Sequence, residues 1–434
     1  MASQVVLQMT SPPRFKFLDF MKGLAIVLIL WVHLALWWKD GTWISIRAFA
    51  TIFFMRPFGP ANFIFVSIFG FLLSAEIREK DGDKKAFQVR MIKRSLVFLG
   101  IGSILNLINL AGEVFNPAVP FAASLLRVLL TCNIFTFLGL AQMVIYVGRR
   151  LHPAIQVALA ASIFATYYLV LNAFTAECRA LGVDYTFGDL SLSQIASPVA
   201  LLYFLLMFEN SMSPLVPYIA LVFIVNAVYR NLIKMLAVPA ASIQLEKVKA
   251  EMRRIAVVST LMTCTGIIMG ITPSPGAINQ MEYLDLVHAD AFRVWDPTIG
   301  GFPLFLQPAN PSYVLYSFGI VSLLELGGTW VVDLHPRKRA FVDFLATFGS
   351  YSLTVFITHA VAALFPLNAG FLAFMALYGA VALFYMGGIW YWDKKIHGKC
   401  SLEWLIKQFL AGDVIRRIKQ FREGKHDGGG DVSH

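Results

Sequence analysis

Arg14-Phe15-Lys16-Phe17-Leu18-Asp19-Phe20-Met21-Lys22-Gly23, running on through Leu24–Val32 to His33, is the stretch that decides the fold. It opens on charges, becomes an apolar run and carries an imidazole far into that run. From Phe17 to Trp38 it is long enough to cross a bilayer, which takes about 20 residues at about 1.5 Å each. Ionisable groups in such a helix cost roughly 2.5–3.5 kcal/mol or more unless they find partners, so Asp19, Lys22 and His33 need an explanation. Asp19 and Lys22 are spaced i, i+3 on one face and can pair with each other. Equally, both can snorkel to a membrane surface. His33 follows Lys22 by about three turns and projects from roughly the same side. A packing histidine is the plain reading of it. General-base work is the chemical one, because imidazole titrates near neutral pH.

Hydrophobic residues make up 58% of the chain and charged residues 14%, and the mean hydropathy is +0.67. This composition overrides the several soluble domains that length alone would allow, and predicts an all-α, integral, multi-pass membrane protein. The net charge of +10 does not point to nucleic acid, because the basic residues cluster between apolar segments as positive-inside signals do. Cys132, Cys178, Cys264 and Cys400 are scattered without a CxxC pair, so neither a disulfide framework nor a bound metal is expected. The first thirteen residues lack the apolar core of a signal peptide.

Apolar runs of bilayer length fall at about 17–38, 58–77, 95–113, 122–147, 153–173, 214–234, 254–272, 312–332, 341–364 and 369–391, which predicts about ten spans. With the N-terminus inside, the basic segments Arg78–Arg94, Arg149-Arg150, Arg230–Arg254, His335–Arg339 and Lys394–Lys399 all fall on the cytoplasmic face, as do both termini. Ser197–Phe208 is apolar but about half a span long, and reads as a re-entrant or interfacial segment. The chain thus divides into a cytoplasmic segment 1–13, a transmembrane domain 14–400 and a tail 401–434. In the tail, Leu402, Leu405, Ile406, Phe409 and Leu410 recur at helical spacing among Lys407, Arg416 and Arg417, predicting a basic amphipathic helix on the cytoplasmic leaflet. The loop Thr272–Pro311 holds Glu282, Asp285, His288, Asp290, Arg293 and Asp296, and reads as a substrate lid or as a solvated connector. There is no Walker A sequence, Gly-rich dinucleotide turn, HExxH or Gly-x-Ser-x-Gly elbow. ATP-driven transport, nicotinamide or flavin chemistry, zinc proteolysis and the usual serine hydrolases are therefore set aside.

Alternate threading of the spans gathers His33, Pro60, Asn62, Asn106, Asn109, Arg127, Pro214, Pro217, Asn310 and His359 into one outer third. Polar groups in hydrocarbon must find partners, so a shared cavity is expected there. On the opposite side Arg78, Lys80, Arg90, Lys93, Arg94, Arg149, Arg150, Arg337, Lys338 and Arg339 form a basic rim. Positive-inside bias accounts for that rim, and so does docking of a polyanionic cofactor.

The pattern Arg14-x4-Asp19-x2-Lys22-Gly23-x9-His33 resembles the opening of the transmembrane acyltransferases related to heparan-alpha-glucosaminide N-acetyltransferase. Gly59-Pro60-Ala61-Asn62-Phe63 through Gly70 is similar to their proline-aromatic-glycine second span. Phe87-x2-Arg90-x3-Arg94 resembles the basic start of their third, and Phe348-Gly349 through Thr358-His359 a late span ending in histidine. Gln307-Pro308-Ala309-Asn310-Pro311-Ser312-Tyr313 is similar to a Pro-Ser segment of bacterial and archaeal members. Lys22 stands where the family has arginine, and Lys39–Arg56 has no histidine where the animal enzymes carry one.

The resemblance implies acyl transfer from acetyl-CoA or another acyl-CoA to an amine or hydroxyl of a sugar or glycan acceptor. His33 is then the general base and His359 a second base or an orienter. Asn62 and Arg127 would stabilise the oxyanion. Arg90, Lys93, Arg94, Lys22 and Asp19 would hold the cofactor. The implied partners are membrane lipids, acyl-CoA and the glycan acceptor, with homodimer formation left open. Two other readings stand beside this one. Proline-broken helix starts at Pro60, Pro214-Pro217 and Pro311 also fit a transporter or flippase, although no two-fold repeat is visible. Lys22 also fits a non-catalytic relative.

Overall fold

The computed structural model describes residues 15–38, 58–80, 84–109, 125, 133–180, 215–238, 244–271, 305, 310–334, 339–365 and 367–411. Among them the regular elements are helices: α1 (Lys16–Trp38), α2 (Pro60–Lys80), α3 (Lys84–Asn109), α4 (Ile134–Gly148), α5 (Pro153–Ala180) and α6 (Leu215–Leu236). There follow α7 (Leu245–Gly270), α8 (Pro311–Gly328), which runs on into a π-helical turn over Thr329–Leu334, and α9 (Ala340–Ser350). The chain ends in α10 (Ser352–Thr358), continued by a 3-10 turn over His359–Leu364, then α11 (Phe371–Ile396) and α12 (Leu402–Ala411). The candidate sites Arg14 and Arg127, the segment 197–208, the loop residues Glu282–Asp296 and the tail from 412 on lie outside the described residues.

By length and composition seven of these helices are able to cross a membrane, and there are eight if α9 and α10, bent by 63° to each other, count as one span. The shorter apolar helices Ala61–Ile77 and Ile134–Gly148 complete the set. The molecule is accordingly a multi-pass membrane protein. The third and seventh runs start earlier than their hydropathy suggests. α3 begins at Lys84 and α7 at Leu245, so Arg90, Lys93 and Arg94 are helical rather than part of a connecting loop. Lys, Arg and Gln are good helix formers, and the apolar helix extends through them before the chain turns.

The central helix is α2, which packs against α1, α4, α6 and α8. Ile64, Phe65, Val66 and Ile68 are fully enclosed. A helix apolar on every side has no face to offer water or charge, so it takes the middle of the bundle. Phe65 and Phe69 lean on Tyr229 of α6, with ring centroids 5.3 and 5.6 Å away.

Around α1 the packing is close enough to involve backbone. A Cβ added to Gly23 would collide with the Leu345 carbonyl oxygen of α9, and one added to Gly349 with the Asp19 carbonyl oxygen of α1. The two glycines of the quoted motifs therefore face each other at one crossing, where only a missing side chain lets the backbones meet. Below that crossing, Lys16 Nζ lies 3.0 Å from Asp343 Oδ1. Asp333, at the end of the π turn, accepts from the Lys16 and Phe17 backbone N–H groups and so caps α1. On its far flank α1 meets α11 antiparallel: the Tyr378 hydroxyl donates to the Val27 carbonyl at 3.2 Å, and Phe374 stands edge-on to Trp31. At the C-terminal end the Ala369 N–H donates to the Trp38 carbonyl and the Trp38 indole to the Ala362 carbonyl.

Candidate functional site

His33 enters from α1 and His359 from the first position after α10, and their rings meet. His33 Nδ1 lies 2.6 Å from His359 Nε2, and the rings stack with centroids 4.9 Å apart and planes 18° from parallel. Only one proton fits between the two nitrogens, so one imidazole donates and the other accepts. His359 is 3% exposed, and its other ring nitrogen, Nδ1, is buried without a formed hydrogen bond. With its proton on Nδ1, His359 presents Nε2 as the acceptor of this contact. His33 then donates through Nδ1, and its Nε2 lone pair is left for chemistry.

The surroundings are aromatic. Trp37 stacks on His359 at 5.7 Å, and Phe356 meets both imidazoles edge-on. Phe135 at the start of α4 abuts Phe356 at 4.9 Å. One turn away, Asn133 caps α4 by accepting from the Phe135 and Thr136 N–H groups, and its amide donates to Gly102 O and to Asn106 Oδ1, each at 2.7 Å. Asn106 thus belongs to the same end of the bundle as the histidines, with its amide oxygen committed to a neighbour. Asn310 takes a simpler role: its side chain caps α8 through the Ser312 N–H and hydroxyl.

Asn62 departs from expectation. Its amide donates to the Met21 carbonyl at 3.0 Å, twelve residues before His33 on α1 and about 18 Å below it at helical rise. Its Oδ1 is buried and has no partner. A carbonyl oxygen repels an oxyanion, and the N–H groups that would attract one are turned toward Met21. Depth inferred by counting from an apolar edge placed Asn62 too near the histidines, because α2 starts deeper in the bundle than α1 ends.

Asn62 belongs instead with Asp19 and Lys22, whose side chains pair at 3.4 Å as their spacing predicts. Glu325 of α8, 3% exposed and without a hydrogen-bond partner on either oxygen, interacts electrostatically with Lys22. Sequence reading passed over Glu325 and Asp333. The available signal was a lone carboxyl in the run Leu323-Leu324-Glu325-Leu326, which in a membrane helix is as conspicuous as His33.

The basic rim is divided by the structure. Arg90 is exposed, while the Arg94 guanidinium lies over the Phe71 ring at 4.5 Å. A separate cavity of about 190 Å³ opens between the C-terminal ends of α2, α4 and α6, lined by Glu76, Glu79, Arg149, Arg150, Arg230 and Lys234 among others. Glu79 bridges Arg149 and Arg150 at 2.7 and 2.9 Å. Partial burial works against its charge, but the two guanidiniums outweigh that and hold its carboxyl below the usual range. Among the described residues no cluster of three or more His, Cys, Asp or Glu is placed to hold a metal ion.

Fold and site together define the class: a multi-pass helical membrane protein with a stacked histidine pair at one end of its bundle. No protein-family model matches the chain, and no curated protein matches its sequence.

Proposed function

We propose that the protein transfers an acyl group from an acyl-CoA, acetyl-CoA in the simplest case, to a hydroxyl or amine of a sugar or glycan at the opposite membrane face. The observation that carries this reading is the histidine pair, with His359 orienting His33 and leaving its Nε2 as the base. His33 takes the proton of the acceptor as its oxygen or nitrogen adds to the thioester carbonyl carbon. The tetrahedral adduct expels the CoA thiolate, and the proton passes from His33 to the sulfur, which leaves as the free thiol. Arg127 remains the candidate oxyanion donor. Asn62 does not, because its amide donates to the Met21 carbonyl far from the histidine pair. The cofactor's phosphates would sit among the basic residues at the other end of the bundle.

Acyl-CoA added to the purified protein should raise its melting temperature, as a ligand of the native state must. Arg90→Ala with Arg94→Ala should abolish most of that shift at low salt, and the difference from the wild type should shrink as salt screens the contact. An unchanged shift in the folded double variant would return both arginines to membrane topology and leave the Arg149–Arg150 cavity as the place for phosphate. If acyl-CoA neither shifts the melting temperature nor is cleaved, the acyl-transfer reading is lost.

The same reading takes all ten apolar elements as spans, with both termini cytoplasmic and the short helices α2 and α4 completed by flanking chain. It is supported by the basic segments, which share one face only for an even distribution of this kind. A cysteine placed at Arg253 in a cysteine-free background should then react only from the cytoplasmic side. Reaction from the outside would remove one span between α5 and α7 or add one.

A further inference from the structure

We propose that Glu403, on the helix that follows the last apolar run, is a positioning residue that fixes His359 against His33. Its kinetic consequence rests on the acyl-transfer reading; its geometry does not. The ninth apolar run is broken. α9 stops at Ser350, Tyr351 leaves helical geometry (φ −112°, ψ 24°), and the chain resumes as α10 at an angle of 63°. A helix that restarts inside a bundle exposes its first N–H groups, and water is scarce there to satisfy them. Tyr351, at the capping position, provides no side-chain hydrogen bond to them.

The cap comes from fifty residues further along the chain. Glu403 Oε1 accepts from the Leu353 N–H at 2.7 Å and the Thr354 N–H at 3.1 Å, and Oε2 accepts from the Thr354 hydroxyl. The same hydroxyl accepts from the Leu402 N–H at 3.0 Å, so tail helix and broken helix are tied in both directions. A second tie holds the corner itself, where the Tyr351 hydroxyl donates to Asp393 Oδ1 at 2.6 Å. Leu402 and Ile406 complete the attachment by packing on the main core. The helix expected to lie on the leaflet is therefore docked on the break.

What the cap holds is short. α10 has seven residues, and His359 is the next one. A rigid segment of under two full turns joins the Glu403 carboxylate to the imidazole, so a tilt of α10 at its cap moves the ring. The 2.6 Å contact to His33 and the stacking of the two rings tolerate little of that motion. A carboxylate at a helix N-terminus also opposes the positive end of the peptide dipoles, which favours this docking over release of the tail.

The test compares Glu403→Ala, which removes both acceptors, with Glu403→Gln, which keeps one oxygen for the Leu353 and Thr354 N–H groups. Two readouts are taken on the full-length protein in detergent or nanodiscs. The first is carbethoxylation of His359 by diethylpyrocarbonate, followed in the peptide that contains it. In the native protein the ring is enclosed and should react slowly; in Glu403→Ala the rate should rise about tenfold, and in Glu403→Gln by no more than about threefold, as loss of a held geometry rather than of charge predicts. The second is turnover with labelled acyl-CoA, where kcat should fall by about tenfold or more in Glu403→Ala with little change in KM, and recover in Glu403→Gln. Thr354→Val removes the hydroxyl link without removing the carboxylate, and should shift His359 reactivity in the same direction; it decides the matter if Glu403→Ala does not fold. Unchanged His359 reactivity in the folded variants overturns the positioning role, whatever the turnover. Raised reactivity in a protein that transfers no acyl group keeps the role and removes the acyl-transfer reading instead.

Discussion

On the proposed acyl-transfer reading, His33→Gln should lower turnover by roughly 100-fold or more while the protein still folds and binds acyl-CoA. Glutamine keeps much of the volume of histidine and a hydrogen-bonding group for His359 Nε2, so the aromatic enclosure by Trp37 and Phe356 has no reason to collapse. What it lacks is a lone pair able to accept a proton from the acceptor. His359→Gln should cost less if that residue only orients His33, and about as much if it is itself the base. The wild-type rate should have an acid limb along which it rises with pH, since the base must be free of its proton before it can accept another. The measurement is transfer from labelled acyl-CoA by both variants across about pH 5.5 to 8.5. A folded His33→Gln protein with near-normal turnover would make the pair a packing feature and end the reading built on it.

Gly23→Ala should be among the most damaging small substitutions in the motif region. The added methyl would meet the Leu345 carbonyl and the Gly349 backbone, neither of which can rotate away as a side chain can. Relief requires α1 and α9 to separate, at a cost of about 1–3 kcal/mol and occasionally more. The functional cost should exceed the structural one. His33 rides on α1 and His359 follows α9 through α10, so parting the helices stretches the 2.6 Å contact between them. A misplacement of about 1 Å is enough to lower a rate by about 100-fold. Gly349→Ala presses on the Asp19 carbonyl at the same crossing and should behave alike. Melting temperature, acyl-CoA binding and turnover are compared for both variants. A Gly23→Ala protein with native stability and native turnover would show that the crossing has slack, and Gly23 would lose its link to the histidines.

Much of the fold could be read from the chain. Each of the ten apolar runs holds a helix or a helix pair, because bilayer-length hydrophobicity and the 1.5 Å rise leave few other solutions. The Asp19–Lys22 pair was legible as well, since i, i+3 spacing on a helix brings side chains together whatever surrounds them. His33 and His359 could be assigned to the same end of the bundle by counting spans. Their contact could not, because it depends on how α1 leans on α9 and how sharply α9 breaks into α10.

Counting failed where helices begin at different depths. Asn62 follows a proline at the start of an apolar run, yet α2 meets α1 at Met21 rather than near His33. The tail is legible only in part: periodicity shows that Leu402 and Ile406 share a face, but not what that face touches. A carboxylate fifty residues from its partner N–H groups leaves no local trace, so the cap by Glu403 was invisible until the bundle closed. By itself the sequence determined the helices, their order and the residue types available for chemistry, because hydrophobic length and helical periodicity are local properties. Which glycines meet, which orphaned N–H groups are capped and which imidazole faces which were decided only by the tertiary packing. Those contacts join residues tens to hundreds of positions apart, and their distances are set by side-chain volume at the helix crossings.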